Sequence, residues 1–480
     1  MQITLSSGKT IPMEMHKVRI VQQTWLHPID RRHRAMQEAG FNTFLLRSRD
    51  IFLDMLTDSG TNAMSDNQLA AMMVSDDAYA GSESFFKLAD AVKEMLGFAL
   101  TIPVHQGRAA EHLIAKTFVK PGQACIMNYH FTTTKAHFEM AGGVVLELYQ
   151  DEALKTQSDN PFKGDIDLDK LTKTIDELGA ENVAFIRMEA TTNLIGGQPF
   201  SMRNLQAVRE ICNQHNIMLV FDGSLLMENA FFIQQREQPE RNVADIAREM
   251  MTMVDLYYMS ARKGPAVRGG MIAMNDQALF DRLLPLVPLF EGFSTYGGMS
   301  TKEIEAMAVG LREMLSGDIA GSGAEMVAFF VRRMVEENLP VVTPAGGLAC
   351  HVDVSRFLPH IPQTEYPAGA LAAAFFLVSG VRGMERGTIS TDRDIDGNDV
   401  PAGVELMRLA LPRRVYTMSH IEYAVDRLKW LFEHRELVRG LTWISEPPVL
   451  RFFFGRLAPI GQWDVQLRKA FCTEFGDDAM

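Results

Sequence analysis

From about residue 50 to residue 312 the chain alternates between strand-like and helix-like segments, and that alternation limits its fold more than any other feature. Apolar runs of strand length occupy residues 144–148, 183–186, 216–222 and 254–259. Helical periodicity separates them, as at 169–178 and 202–215. Such a succession predicts an α/β fold, a mostly parallel sheet wrapped by helices. Glycines at 317, 321 and 323 lead us to expect a break in the helical pattern. Beyond them come a helix over 325–338, turns at 340–342 and 346–347, and a strand carrying His351 and Val352, which together suggest a second, smaller α/β domain. The expected division is an N-terminal arm with part of the small domain at 1–56, a large domain at 57–322 and a C-terminal small domain at 323–480. The polar, Asp-rich segment 391–401 reads as a surface loop.

One strand ends in a chemically suggestive way. The run to Met259 is followed by Ser260, Ala261, Arg262 and Lys263, against a Gly264-Pro265 breaker. Open α/β sheets place their ligands at the carboxyl ends of strands. A lysine held there can form a Schiff base with a cofactor aldehyde, and pyridoxal 5'-phosphate (PLP) is the usual cofactor of that kind. Two other parts of a PLP site precede it. Asp222 ends a buried-strand run and can face a pyridine nitrogen, keeping the ring protonated. Gln106, Gly107 and Arg108 open a helical segment, where backbone N–H groups, the helix N-terminus and a guanidinium favour a phosphate. A lysine on a loop, an Asp before Gly and a glycine at a helix start are each commonplace; the argument rests on their combination.

Composition excludes several alternatives. The 480 residues suffice for two domains with full cores. The net charge of −13 shows no dominant basic stripe, which argues against a nucleic-acid partner. The longest apolar stretch, 368–378, is too short to span a bilayer. The first ten residues lack an apolar signal core, and Cys125, Cys212, Cys350 and Cys472 lie far apart with no ligand spacing. A cytoplasmic protein with free thiols is the expectation. Ser260-Ala261-Arg262-Lys263 and Ser65-Asp66-Asn67 match two penicillin-binding motifs, but in the wrong order and without the third. The pairs His27/His33 and His130/His137 lack acidic or cysteine partners at metal-ligand spacing.

Longer stretches carry a more specific resemblance. They include residues 56–64, 77–82, 105–108, 131–134, 193–199, 228–230, 294–298, 384–387 and 408–414. Through these the chain resembles the β-eliminating lyase family of PLP enzymes, which includes tyrosine phenol-lyase and tryptophanase, and it lies nearer the former branch. The likeness runs from about Phe41 to Phe454. It implies a fold-type-I enzyme with an aspartate aminotransferase-like large domain. It also implies a homotetramer with sites at a subunit interface, and an aromatic amino acid as substrate.

The resemblance assigns roles by position. Lys263 would hold PLP and shuttle the Cα proton. Asp222 would pair with the ring nitrogen and Asn193 with the 3′-oxygen, while Phe131 would stack on the ring. Gln106, Gly107, Arg108 and Ser260 would cradle the phosphate. Arg408 would clamp the substrate carboxylate, and Thr57 and Ser59 would line the pocket. Tyr79 would protonate the departing aromatic carbon. Thr132 and Arg386 match residues that hold a phenol hydroxyl, and Phe452 stands where tryptophanase carries a histidine.

The chain also departs from the family pattern. Leu225 stands where both relatives have an arginine near the cofactor, and Arg262 replaces the lysine beside the PLP lysine. Asp77 replaces a glutamate and Arg268 an asparagine that, with the backbone at Gly60, hold a monovalent cation. The expectation drawn from these changes is that Arg268 reaches into the former cation site and supplies the charge itself.

Overall fold

Seven strands build one sheet in the order Leu100–Val104, Gly270–Met274, Leu256–Ser260, Leu219–Asp222, Val183–Glu189, Ala124–Met127 and Val144–Glu147. Gly270–Met274 is antiparallel to both neighbours, and every other pairing is parallel. This is a computed structural model that describes residues 2–476. The sheet belongs to a unit formed by Ser59–Ala153 and Asn160–Ala324. A second unit comprises Gln2–Asp58, Leu154–Asp159 and the chain from Glu325 onward.

The central strands are apolar on both faces because helices cover both faces. All four residues of Ala124–Met127 and of Leu219–Asp222 are buried. The covering helices obey local rules. In Leu168–Leu178, Leu171 and Ile175 lie one turn apart and are buried, and the Asp167 side chain caps the start by accepting from the Lys170 N–H at 3.0 Å. Met202–His215 is capped by Ser201 and stopped by Asn216 in the left-handed region.

The helical pattern does break, at residues 315–316 after Thr301–Met314, with a bend of 71°, but the glycines lie within the helix Gly317–Glu336 that follows. Gly321 serves packing instead: a Cβ there would lie 2.4 Å from the Phe231 ring. Lacking a side chain, it lets the helix backbone approach that ring.

In the second unit, Ala349–Asp353, Leu406–Ala410 and Met384–Arg386 form an antiparallel three-stranded sheet, and Leu53–Asp54 pairs in parallel with Val381–Arg382. The apolar stretch seen in the sequence is the helix Pro367–Ser379, buried along its whole length. Helices Ile29–Glu38, Met418–Glu433 and Trp463–Phe475 pack around it. A helix apolar all round needs such a cover. Each of its fully buried Phe and Leu side chains contributes roughly 1.5–3 kcal/mol. Among the described residues, no single helix is long and apolar enough to cross a membrane. Cys125, Cys212 and Cys350 are buried free thiols, and Cys472 is half-buried.

Candidate active site

The strand pairing brings the sequence candidates of the first unit to one edge. Asp222 pairs with Tyr258 and with Glu189, and Gly270 pairs with both Ser260 and Val104. The carboxyl ends of five parallel strands therefore lie side by side, and that of Leu100–Val104 reaches the same edge across Gly270–Met274. Just beyond them come Gln106 and Gly107, Phe131, Asn193, Asp222 itself, and Ser260 with Lys263. This is where an open α/β sheet binds its ligand.

Lys263 lies three residues past its strand and is buried, 8% exposed. The Asn62 side chain fixes the turn, donating at 3.0 Å to the carbonyl oxygens of both Arg262 and Lys263. Gly107 is the first residue of the helix Gly107–Phe118. A Cβ on it would sit 2.8 Å from the Ser260 Cβ, and one on Gly270 would sit 3.0 Å from the Gly107 nitrogen. Glycine is required at both positions, so the helix start and the strand end can close on one another. Ser224 Oγ accepts the Ser260 N–H at 3.0 Å, and Arg108 is exposed at the rim. A 12-residue helix opening here, beside a serine and an arginine, suits a phosphate.

Around Asp222 the sheet is unusually polar. Asp222 Oδ1 accepts the Ser224 N–H at 3.0 Å, and Oδ2 accepts from Arg187 Nη2 at 2.6 Å. The same Arg187 nitrogen reaches Glu189 Oε2 at 3.1 Å, and Arg187 Nε donates to the Tyr258 hydroxyl at 2.8 Å. Burial works against the Arg187 charge, but its oxygen partners outweigh it and hold the guanidinium well above its ordinary pKa. Glu189 and Glu111 are pushed upward, chiefly by burial, with Asp222 adding repulsion. Glu111 accepts from the hydroxyls of Thr133 and Thr134.

Asn193 is buried and donates its backbone N–H to Glu189 Oε1 at 3.0 Å. Two residues before it Thr191 has φ +56°, an unfavourable setting for a β-branched residue. The Asn229 side chain holds it there by accepting the Thr191 N–H at 3.0 Å. Such strain concentrates at functional sites. Phe131 and Thr132 are half-buried at the start of the helix Thr132–Met140. Leu225 is buried, apolar, and adjoins the helix Leu226–Arg236.

Arg187, Glu189 and Glu111 were not singled out from the sequence. A signal existed: Arg187 and Glu189 alternate at the end of an otherwise apolar central strand, where a charge needs a partner.

Other candidates are placed less tightly. Tyr79 is 71% exposed, with ring contacts to Tyr296 at 5.3 Å and Phe293 at 5.8 Å. Its hydrogen bond to Tyr296 raises its pKa. Ser59 lies beside Arg262, whose Nε is 3.3 Å from its hydroxyl. The cation-site expectation needs correction. The side chain lying closest to Gly60 is Arg262, not Arg268. Arg262 is bound there because its carbonyl accepts the Gly60 N–H at 3.0 Å and its Nη2 reaches the Ser59 carbonyl at 3.3 Å. Arg268 and Asp77 are exposed, and Asp77 accepts from Thr301 Oγ1 at 3.3 Å.

The second unit holds Thr57, Arg386, Arg408 and Phe452. Arg386 and Arg408 are both buried. Arg408 donates to the Leu56 carbonyl at 2.9 Å and contacts the Met384 sulfur. Burial, reinforced by the Arg386 charge, pushes its pKa down to about 9. An arriving anion would relieve that cost. Phe452 packs on Phe44, ring to ring at 5.4 Å, and its carbonyl accepts from the Asn42 side chain. Thr57 is half-buried after Leu56.

The architecture is shared with aminotransferases and related fold-type-I enzymes. A Thermus thermophilus aspartate aminotransferase variant aligns with a TM-score of 0.56 at 14% identity, covering 84% of this chain and 95% of that one. Serine palmitoyltransferase from Sphingomonas wittichii aligns with a TM-score of 0.55 at 14% identity, over 80% and 88%. Sequence narrows the class. The profile of the family described as Beta-eliminating lyase matches residues 54–427, and the chain belongs to that family. Its relatives include a tyrosine phenol-lyase from Intrasporangium calvum, 46% identical over 93% of this chain and 95% of that protein. Another from Symbiobacterium sp. is 44% identical over 93% and 98%.

Proposed function

We infer that the protein is a PLP-dependent carbon–carbon lyase that cleaves tyrosine or a substituted tyrosine to a phenol, pyruvate and ammonia. The observation that carries this is the convergence of Lys263, Asp222, Asn193, Gly107 and Ser260 on one sheet edge, in a chain of this family. The residues fit the cofactor: a carboxylate at a strand tip for the ring nitrogen, a buried lysine, and a glycine-lined helix start for the phosphate.

PLP, when bound, supplies an electron sink for the substrate's Cα. The chain supplies the rest. Asp222 would face the ring nitrogen and Asn193 the 3′-oxygen. The Lys263 amine would take up the substrate's Cα proton. Tyr79 gives a proton to the ring carbon that leaves as phenol, breaking the Cβ–Cγ bond. Water then completes release of pyruvate and ammonia. By resemblance Arg408 and Thr57 would serve the substrate's amino-acid end and Arg386 its phenol hydroxyl; a site built to bond a hydroxyl rejects rings that lack it. The polarity of Arg386 and the apolar Phe452 favour tyrosine over tryptophan.

A homotetramer with shared sites suits the exposed apolar group Tyr79, Leu289, Phe290 and Phe293, which a partner subunit would cover. A cytoplasmic location suits the buried free thiols Cys125, Cys212 and Cys350. The test is pyruvate formation, coupled to lactate dehydrogenase, with tyrosine and tryptophan as rival substrates. Pyruvate from tyrosine at the higher kcat/KM supports the reading. A preference for tryptophan, or no pyruvate from either, overturns it.

A further inference from the structure

We propose that Arg187 is a positioning residue for the cofactor ring, holding the Asp222 carboxylate in a fixed orientation and, through Glu189, holding Asn193 in place. The proposal rests on the PLP reading above and adds to it a residue that contacts neither substrate nor cofactor.

The geometry is specific. Arg187 is completely buried, and its planar fork is bonded on three sides. Nε meets the Tyr258 hydroxyl at 2.8 Å, Nη1 the Tyr129 carbonyl at 3.3 Å, and Nη2 both Asp222 at 2.6 Å and Glu189 at 3.1 Å. Glu189 uses its other oxygen for the Asn193 N–H. One guanidinium thus links the partner proposed for the ring nitrogen to the partner proposed for the 3′-oxygen. Strand pairing sets this up: Arg187 and Glu189 project to one face of their strand, and Glu189 is the registered neighbour of Asp222.

The charges explain why a cation is needed. Three carboxylates, Asp222, Glu189 and Glu111, lie buried in this region. Buried like charges repel one another. Arg187 sets a cation among them and ties Asp222 and Glu189 to one nitrogen, at 2.6 Å and 3.1 Å. Lysine could supply the charge but not the fork, because one ammonium cannot span Tyr258, Tyr129 and two carboxylates in fixed directions.

The test compares PLP binding to the whole protein carrying Arg187→Met, Arg187→Lys, or Arg187→Met with Glu189→Gln. The readouts are the cofactor dissociation constant, from the visible absorbance of the bound form, and visible circular dichroism, which reports ring orientation. Arg187→Met should weaken PLP binding roughly tenfold or more and change the dichroic band, as expected from losing a charge-assisted bond. The double variant restores the charge balance but not the fork, so it should regain part of the lost affinity, about threefold over Arg187→Met, with the dichroic band still altered; a purely structural role would not produce that gain. If Arg187→Met does not fold, Arg187→Lys carries the test and should bind about threefold or more weakly with an altered band. Wild-type affinity and dichroism in Arg187→Met would overturn the proposal. So would a double variant as weak as the single one, or, in the fallback, an Arg187→Lys protein indistinguishable from wild type. Those outcomes leave the lyase reading intact; a wild-type protein that forms no visible band with PLP would overturn both.

Discussion

Asp222 and Tyr79 are both assigned to one reaction, yet the chain treats them in opposite ways. Asp222 is 5% exposed, ends a central strand, and has both oxygens bonded. Tyr79 is 71% exposed on an irregular segment and leans on two other aromatic rings. On the proposed reading, the group that would bind the cofactor in a fixed orientation is held by the sheet, and the group that would meet a changing substrate lies exposed. Binding and chemistry should therefore separate under mutation.

The largest effect belongs to Lys263, which serves both. Lys263→Ala should lower the lyase rate by about 10³-fold or more, measured as pyruvate from tyrosine. Tyr79→Phe sharpens the comparison: tyrosine turnover should fall by about 10²–10⁴-fold with PLP affinity unchanged. A large loss of PLP affinity there would break it. Arg386→Leu should cut kcat/KM for tyrosine by roughly 10²-fold and change tryptophan far less, because a buried hydroxyl loses its partner. Gly107→Ala probes the opposite end. The clash with Ser260 should cost about tenfold in PLP affinity, about 1.4 kcal/mol, read from a binding titration.

Stability carries its own signature. Burial, then the charge of Glu405, pushes Glu385 up to about 7. A carboxyl raised in the folded state stabilises fully below its ordinary pKa, near 4.5, and that contribution is lost as pH rises through 7. The contribution of Glu385 to the unfolding free energy, read from denaturant titrations, should thus fall by up to about 3 kcal/mol between pH 5 and pH 8. Glu385→Gln should remove most of that difference.

Much of this was legible in the sequence because it follows from local rules. The alternation of strands and helices, Lys263 after its strand, Asp222 at a strand tip and Gly107 at a helix start all depend on short-range patterns. What failed depends on distant contacts. Gly321 looked like a helix breaker, but its role is set by Phe231, 90 residues earlier in the chain. Arg268 was expected beside Gly60, yet the Gly60 N–H and the Asn62 side chain both bond the Arg262 carbonyl and bring Arg262 there instead. Arg187 went unnoticed because its partners Asp222 and Tyr258 become its neighbours only when the strands pair.

The central claim is that Lys263 carries the cofactor, and the bond itself can be trapped. The protein is incubated with PLP, reduced with borohydride and digested, and the modified peptide is sequenced by mass spectrometry. The account predicts a phosphopyridoxyl group on Lys263, lost when excess tyrosine is added before reduction. A label on another lysine, or none on a folded protein saturated with PLP, would contradict it.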